Sequence, residues 1–221
     1  MTVVCLMAVT VITTSAAITV TPLEMAQQKQ WVKQNLLTSS NLPPFSFIYE
    51  SQPFSTLLPS WKRGEVDTIL DANRTQHVIT WSHQGLQIKC VAVEYSDYPM
   101  VEWTVYLKNN GSSNTAILED VQGLNTTFTR TNEREFVLNG IKGDWTTADS
   151  YEPYQITLYS NMVRTFSPPS NSGKSTDGPD GWPYYNLQIP GGGVIMAVGW
   201  PGQWESKFTH DATTGLQIEA G

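Results

Sequence analysis

From Phe45 onward the chain breaks into short runs in which apolar and polar positions alternate: FSFIY, HVITW, LQIKCVAVEY, MVEWTVYLK, TAILEDVQGL, EFVLNG, YQITLY, YYNLQI and VIMAVGW. They are rich in β-branched and aromatic residues, and clusters of Gly, Pro, Asn and Ser separate them at fairly even spacing. In MVEWTVYLK, Val101, Trp103, Val105 and Leu107 share one face while Glu102 and Thr104 lie on the other, the signature of a half-buried antiparallel strand. Asn109-Asn110-Gly111-Ser112 then predicts a hairpin turn. Helix and strand patterns do not alternate, so a parallel α/β domain is excluded. The prediction is an all-β fold, a large antiparallel β-sandwich over residues 45–221 with one short N-terminal helix.

That helix begins at Thr21-Pro22-Leu23-Glu24. Thr21 can cap, Pro22 suits the first helical position, and Glu24 completes a capping box. Its pattern runs to about Leu37, and Ser39 to Pro44 end it, so residues 21–44 read as helix plus linker. Ahead of it, Met1 to Val20 is apolar and uncharged and closes on small residues at Ser15-Ala16-Ala17. The reading is a secretory signal peptide, which predicts a secreted or periplasmic protein; the rival is an N-terminal membrane anchor.

The densest aromatic stretch is Asp180 to Trp204, DGWPYYNLQIPGGGVIMAVGWPGQW. Val194, Met196, Val198 and Trp200 alternate with Ile195, Ala197 and Gly199, so both faces are apolar, and the expectation is a strand covered on both sides. Gly191 to Gly193 punctuate its start, and Pro201-Gly202 turn the chain after it, carrying Gln203 and Trp204 outward. Upstream, Ser167 to Gly181 is a long loop rich in Pro, Gly and Ser, of the kind that is either functional or mobile. Its GKST lacks the upstream glycine and the following helix of a phosphate-binding loop.

Composition narrows the chemistry. Aromatics at 11% and charged residues at 15% of 221 residues argue against disorder. A net charge of −7 with no basic run argues against nucleic acid and anionic membranes as partners. Cys5 falls in the leader, and Cys90 keeps phase with Leu86, Ile88 and Ala92 and reads as a core thiol. His77, His83 and His210 lack metal-ligand spacing, and no cofactor motif is present. The triplets at Asn73, Asn110 and Asn125 matter only in a eukaryotic secretory pathway.

The segment GVIMAVGWPGQW, with PYYNLQIP before it and FTHDATTGLQIEAG after it, resembles the N-terminal region of bacterial α-galactosidases of glycoside hydrolase family 36. PPFSFIYESQPFSTLLPSWKR, DANRTQHVITW, KCVAVEYSDYPMVEWTVYLKNNGS and DSYEPYQITL extend the resemblance, in register, over roughly residues 22–221. It implies a large sandwich (a supersandwich) placed before a catalytic (β/α)8 barrel, with the barrel and its two catalytic aspartates beyond Gly221. An α-galactoside would be the ligand, the barrel of the same polypeptide the partner, and a homo-oligomer possible. The resemblance assigns this chain no catalytic residue and no cofactor.

The residues themselves agree with that absence. A retaining glycosidase needs two carboxyl groups about 5 Å apart, and the loop acids Asp97, Asp144, Asp149, Glu152, Asp177, Asp180 and Asp211 carry no spacing that pairs any two. Aromatic rings are more informative, because they pack on the C–H faces of sugars while Asn, Asp or Gln bond the hydroxyls. Trp61, Trp81 and Trp103 read as core. The carbohydrate-binding candidates are Trp204, Gln203, Trp200 and Trp182 late in the chain, and Trp145, Asp149 and Tyr151 in an earlier loop. A free-standing carbohydrate-binding module and a structural oligomerisation domain stand as alternatives to a hydrolase domain.

Overall fold

The computed structural model describes residues 19–131, 134–189 and 192–221. The leader reading, Met1 to Val20 including Cys5, lies outside the described residues except for its last two.

Helix α1 (Pro22–Val32) starts as its sequence predicts. Thr21 Oγ1 accepts from the Glu24 amide at 3.2 Å while the Thr21 amide donates to Glu24 Oε2 at 2.7 Å. A π-helical turn, Lys33–Leu37, ends it and buries Leu36. Trp31 stacks on Trp103 with ring centroids 5.4 Å apart.

The expected two-sheet sandwich does not form. The strands divide among four small sheets set as blades of a propeller-like ring, and every pairing between named strands is antiparallel. The first sheet orders as β2-β1-β7, from β1 (Ser46–Tyr49), β2 (Gln52–Pro53) and β7 (Leu118–Gln122). A short helix α2 (Phe54–Leu57) follows β2. The second sheet takes β3 (Lys62–Ile69), β4 (Arg74–His83), β5 (Leu86–Tyr95) and β6 (Val101–Asn109) in chain order. The third orders as β10-β9-β12-β13, from β9 (Phe136–Ile141), β10 (Pro153–Leu158), β12 (Tyr184–Ile189) and β13 (Gly192–Ala197). The fourth orders as β11-β14-β15-β8, from β8 (Leu124–Thr129), β11 (Val163–Phe166), β14 (Ser206–His210) and β15 (Gly215–Ala220).

The physical reason for the correction lies at one run. TAILEDVQGL reads as a single strand, but Asp120 adopts φ +48° and the chain breaks at Gly123, so β7 and β8 enter different sheets. Period-two alternation identifies a strand's dry face and is silent about its neighbour.

Burial accordingly gathers in two cores. The first packs Phe45, Phe47, Phe54, Trp61 and Trp81 against Ile79, Ile88 and Cys90. Phe47 and Phe54 stack at 4.5 Å. Cys90 is fully buried, which pushes its thiol up to about 12 and makes it inert. The second core joins Phe136, Leu138, Phe166, Tyr185, Trp204 and Phe208. Each histidine serves structure: His77 bridges Asp67 and Glu94, His210 bonds the Leu158 carbonyl, and His83 stacks on Trp61.

A second correction concerns VIMAVGW. Only one face of strand β13 is covered: Met196 and Val198 pack on the core, while Ile195, on the outward face of the sheet beside Asn186, stays 77% exposed.

Candidate functional site

Strands β9 and β10 are joined by the loop 142–152, which carries Trp145, Asp149 and Tyr151. Lys142 holds it together: its Nζ bonds Asp149 Oδ2 at 2.7 Å and Glu152 Oε2 at 3.1 Å, and its backbone amide donates to the Glu152 carbonyl at 2.9 Å. Trp145 Nε1 donates to Asp149 Oδ1 at 3.2 Å, and Thr147 Oγ1 donates to the same oxygen. Ser150 Oγ accepts from the amides of Trp145 and Thr147. Thr146 and Tyr151 both sit at positive φ, +62° and +65°, a costly backbone for non-glycine residues.

The long Pro/Gly/Ser-rich loop packs beside this one. The Asp144 amide donates to the Thr176 carbonyl at 2.8 Å, and Asp144 forms an isolated bridge with Asp177. This approach is so close that any side chain at Gly143 would collide with the backbone oxygens of Thr176 and Gly178. Ser172 Oγ donates to Asp177 at 2.7 Å, and Arg164 pairs with Asp180 at 3.4 Å. The loop thus delivers Trp182 edge-on to Tyr151, with centroids 5.7 Å apart at 90°, and Tyr184 follows at 6.2 Å. Tyr151 is 53% exposed, Tyr184 53% and Trp145 38%.

Four of the seven candidates therefore converge: Trp145, Asp149, Tyr151 and Trp182. The other three do not join them. Trp204 is 1% exposed in the second core, and its Nε1 donates to the Ser175 carbonyl at 2.7 Å. This corrects its reading as a surface ring: it is the first inward position of the series Trp204, Ser206, Phe208, His210, which alternates into the core. Gln203 Nε2 is spent on the Pro168 carbonyl at 2.8 Å. Trp200 is 62% exposed, yet among the described residues no ring contact joins it to the Tyr151–Trp182 pair.

Sequence reasoning missed Lys142, whose spacing to Asp149 and Glu152 was visible, and a polar row on the outward face of the third sheet. Register sets Gln155, Asn139, Asn186 and Ile195 side by side across its four strands. Gln155 Nε2 donates to Asn139 Oδ1 at 2.9 Å, and Asn139 Nδ2 to the Asn186 carbonyl at 3.3 Å. The only signal was the polar phase of three separate strands.

Two of the carboxyls near the rings, Asp149 and Asp177, are held ionised. The Lys142 ammonium, with the Thr147 hydroxyl, holds the Asp149 carboxyl down to about 2. The Ser172 hydroxyl and the Gly178 amide also lower Asp177. A general acid in glycoside cleavage needs the opposite shift. Tyr151 is raised, by desolvation and then by Asp144. The group can offer ring faces, indole and hydroxyl donors and ionised acceptors, which is the chemistry of holding a polyhydroxylated ligand. Among the described residues, no cluster of His, Cys, Asp and Glu could hold a metal ion.

No protein-family model matches the chain, and no curated protein does either. Among solved structures, it is similar to the crystal structure of the α-galactosidase from Lactobacillus brevis, with a TM-score of 0.55 at 12% identity. The match covers 82% of this chain and 26% of that protein. The chain therefore shares a fold with about a quarter of that enzyme's length.

Proposed function

We propose that this chain is a non-catalytic domain of a glycoside hydrolase acting on α-galactosides. It would pack on a (β/α)8 barrel of the same polypeptide and border the barrel's sugar pocket with Trp145, Tyr151 and Trp182. Export to the periplasm or the cell exterior belongs to the same proposal and rests on the apolar stretch Met1–Val20. The observation that carries the reading is the pair of exposed Tyr151 and half-buried Trp182 beside the ionised Asp149, on a fold similar to part of an α-galactosidase. Two rings at right angles can seat the C–H face of a sugar while Asp149 and Thr147 take its hydroxyls. Such contacts, remote from the reacting bond, would orient substrate over carboxylates supplied by the barrel.

A free-standing carbohydrate-binding module is the second reading, favoured by the uncharged row Gln155–Asn139–Asn186, which continues outward from Tyr184. Both readings expect melibiose to perturb the indole fluorescence of the chain, and Trp182→Ala with Tyr151→Ala to abolish that response. An unchanged titration in the double variant rejects the sugar-facing site. The hydrolase-domain reading further expects no turnover of an aryl α-galactoside by this polypeptide, because every acid placed near the rings is tied to a neighbour. Turnover that is lost on changing one of those acids overturns it.

A further inference from the structure

Away from the aromatic loops, a cleft of about 390 Å³ opens where β1, β2 and α2 of the first core meet β8 and β15. One wall is apolar, formed by the exposed Leu42 and Pro53 over the buried Pro43 and Phe54. The other is a polar relay: Gln217 Nε2 donates to Asn125 Oδ1 at 3.2 Å, and Asn125 Nδ2 to Ser46 Oγ at 2.9 Å. Asp120 and Glu219 flank the relay and also line a smaller adjoining concavity with Gln122, Glu205 and Lys207.

Asp120 reaches the cleft because of a β-bulge. Ser46 pairs with Gln122 and Ile48 with Glu119, so β7 spends one residue more than β1 over that interval, and Asp120 takes up the excess at φ +48°. Bulges of this kind re-aim a side chain and recur beside functional sites. Both carboxylates are partly compensated: Asp120 Oδ1 accepts from Gln122 Nε2 at 2.7 Å, and Glu219 pairs with Lys207 at 3.3 Å.

We propose that this cleft is a second binding site, for a neutral pyranose mono- or disaccharide. A side-chain amide has two donors and an acceptor carbonyl. Among the described residues, one N–H of Asn125 and the carbonyl and second N–H of Gln217 have no protein partner. Donors thus stand beside the acceptors Asp120 and Glu219, and sugar hydroxyls, which both give and take protons, match that mixture. A cationic ligand would satisfy the carboxylates and strand the amide donors; an anion would do the reverse. The apolar wall suits a C–H face, and the volume lies near the lower end of the roughly 300–1,000 Å³ typical of small-molecule sites.

The test is a titration of the 15N-labelled chain with melibiose, with maltose and, as a cationic probe, with spermidine, reading the side-chain amide signals of Asn125 and Gln217. Both sugars are expected to shift these signals with millimolar saturation, and spermidine to leave them in place. Gln217→Ala and Asp120→Asn should each weaken binding about tenfold, the scale of one lost charged or neutral hydrogen bond. Asn tolerates the left-handed backbone at position 120, so that variant keeps the bulge. Ser55→Trp, at an exposed position on the cleft wall, should block entry without touching either core. Sugar shifts that survive Ser55→Trp, silence toward both sugars, or a response to spermidine instead, each overturn the site. Shifts abolished by Trp182→Ala but not by Ser55→Trp would move the sugar to the aromatic loops, rejecting this cleft and leaving that reading intact.

Discussion

Trp182 and Trp204 look alike in the sequence, each standing two residues ahead of a strand, yet the structure sends them to opposite fates. In GWPYYNLQ, Gly181, Pro183, Tyr185 and Leu187 are buried, so Trp182, Tyr184, Asn186 and Gln188 take the other phase. In QWESKFTH the phase is inverted: Trp204, Ser206, Phe208 and His210 are buried, while Gln203, Glu205 and Lys207 are exposed. The same long loop holds both rings, bonding Trp204 through Ser175 and presenting Trp182 to Tyr151. An aromatic residue in a loop is therefore placed by its phase relative to the strand it adjoins, and its loop setting alone does not expose it.

The comparison breaks most readily at Trp204. Trp204→Ala should cost roughly 3–5 kcal/mol, because it empties a core site and leaves the Ser175 carbonyl without its donor. A melt showing less than about 1 kcal/mol of loss would return Trp204 to the surface. Trp182→Ala should leave stability within about 1 kcal/mol while removing the sugar-induced fluorescence change; a large loss of melting temperature with the response intact would make it a core residue instead.

Acid titration sharpens the loop side of the contrast. Asp149 has its folded value depressed, so the tie it gives the loop is complete above the ordinary carboxylate value of about 4 and is lost as pH falls through about 2. Trp145, whose indole donates to Asp149, should report this as an emission change in that window, absent in Asp149→Asn. The smallest effect is expected at Trp200, 62% exposed: Trp200→Ala should stay within about 0.5 kcal/mol in the same melts.

Much of this was legible beforehand. The capping box at Thr21, the core thiol at Cys90, the core rings Trp61 and Trp81, and the grouping of Trp145 with Asp149 and Tyr151 all follow from local pattern. Local pattern misled where face coverage was concerned. VIMAVGW is apolar on both faces, and nothing in its own residues says that no layer packs over Ile195 on the outward face. Strands β3, β11 and β14 were passed over because Lys, Arg, Glu and Thr dilute their alternation, although β14 supplies the phase that buries Trp204.

The sequence by itself determined most of the strand segments and which face of most of them is dry. Those properties depend on side-chain period and on residue chemistry, which are local. Only the tertiary structure decided that the strands close four small sheets around two cores, that one strand-like run breaks at Gly123 and is shared between two of them, and that Trp182 reaches Tyr151 across about thirty residues of chain. Strand pairing is a contest among long-range partners whose local patterns are nearly equivalent. Its outcome depends on register and on shared burial, and neither is a property of a single segment.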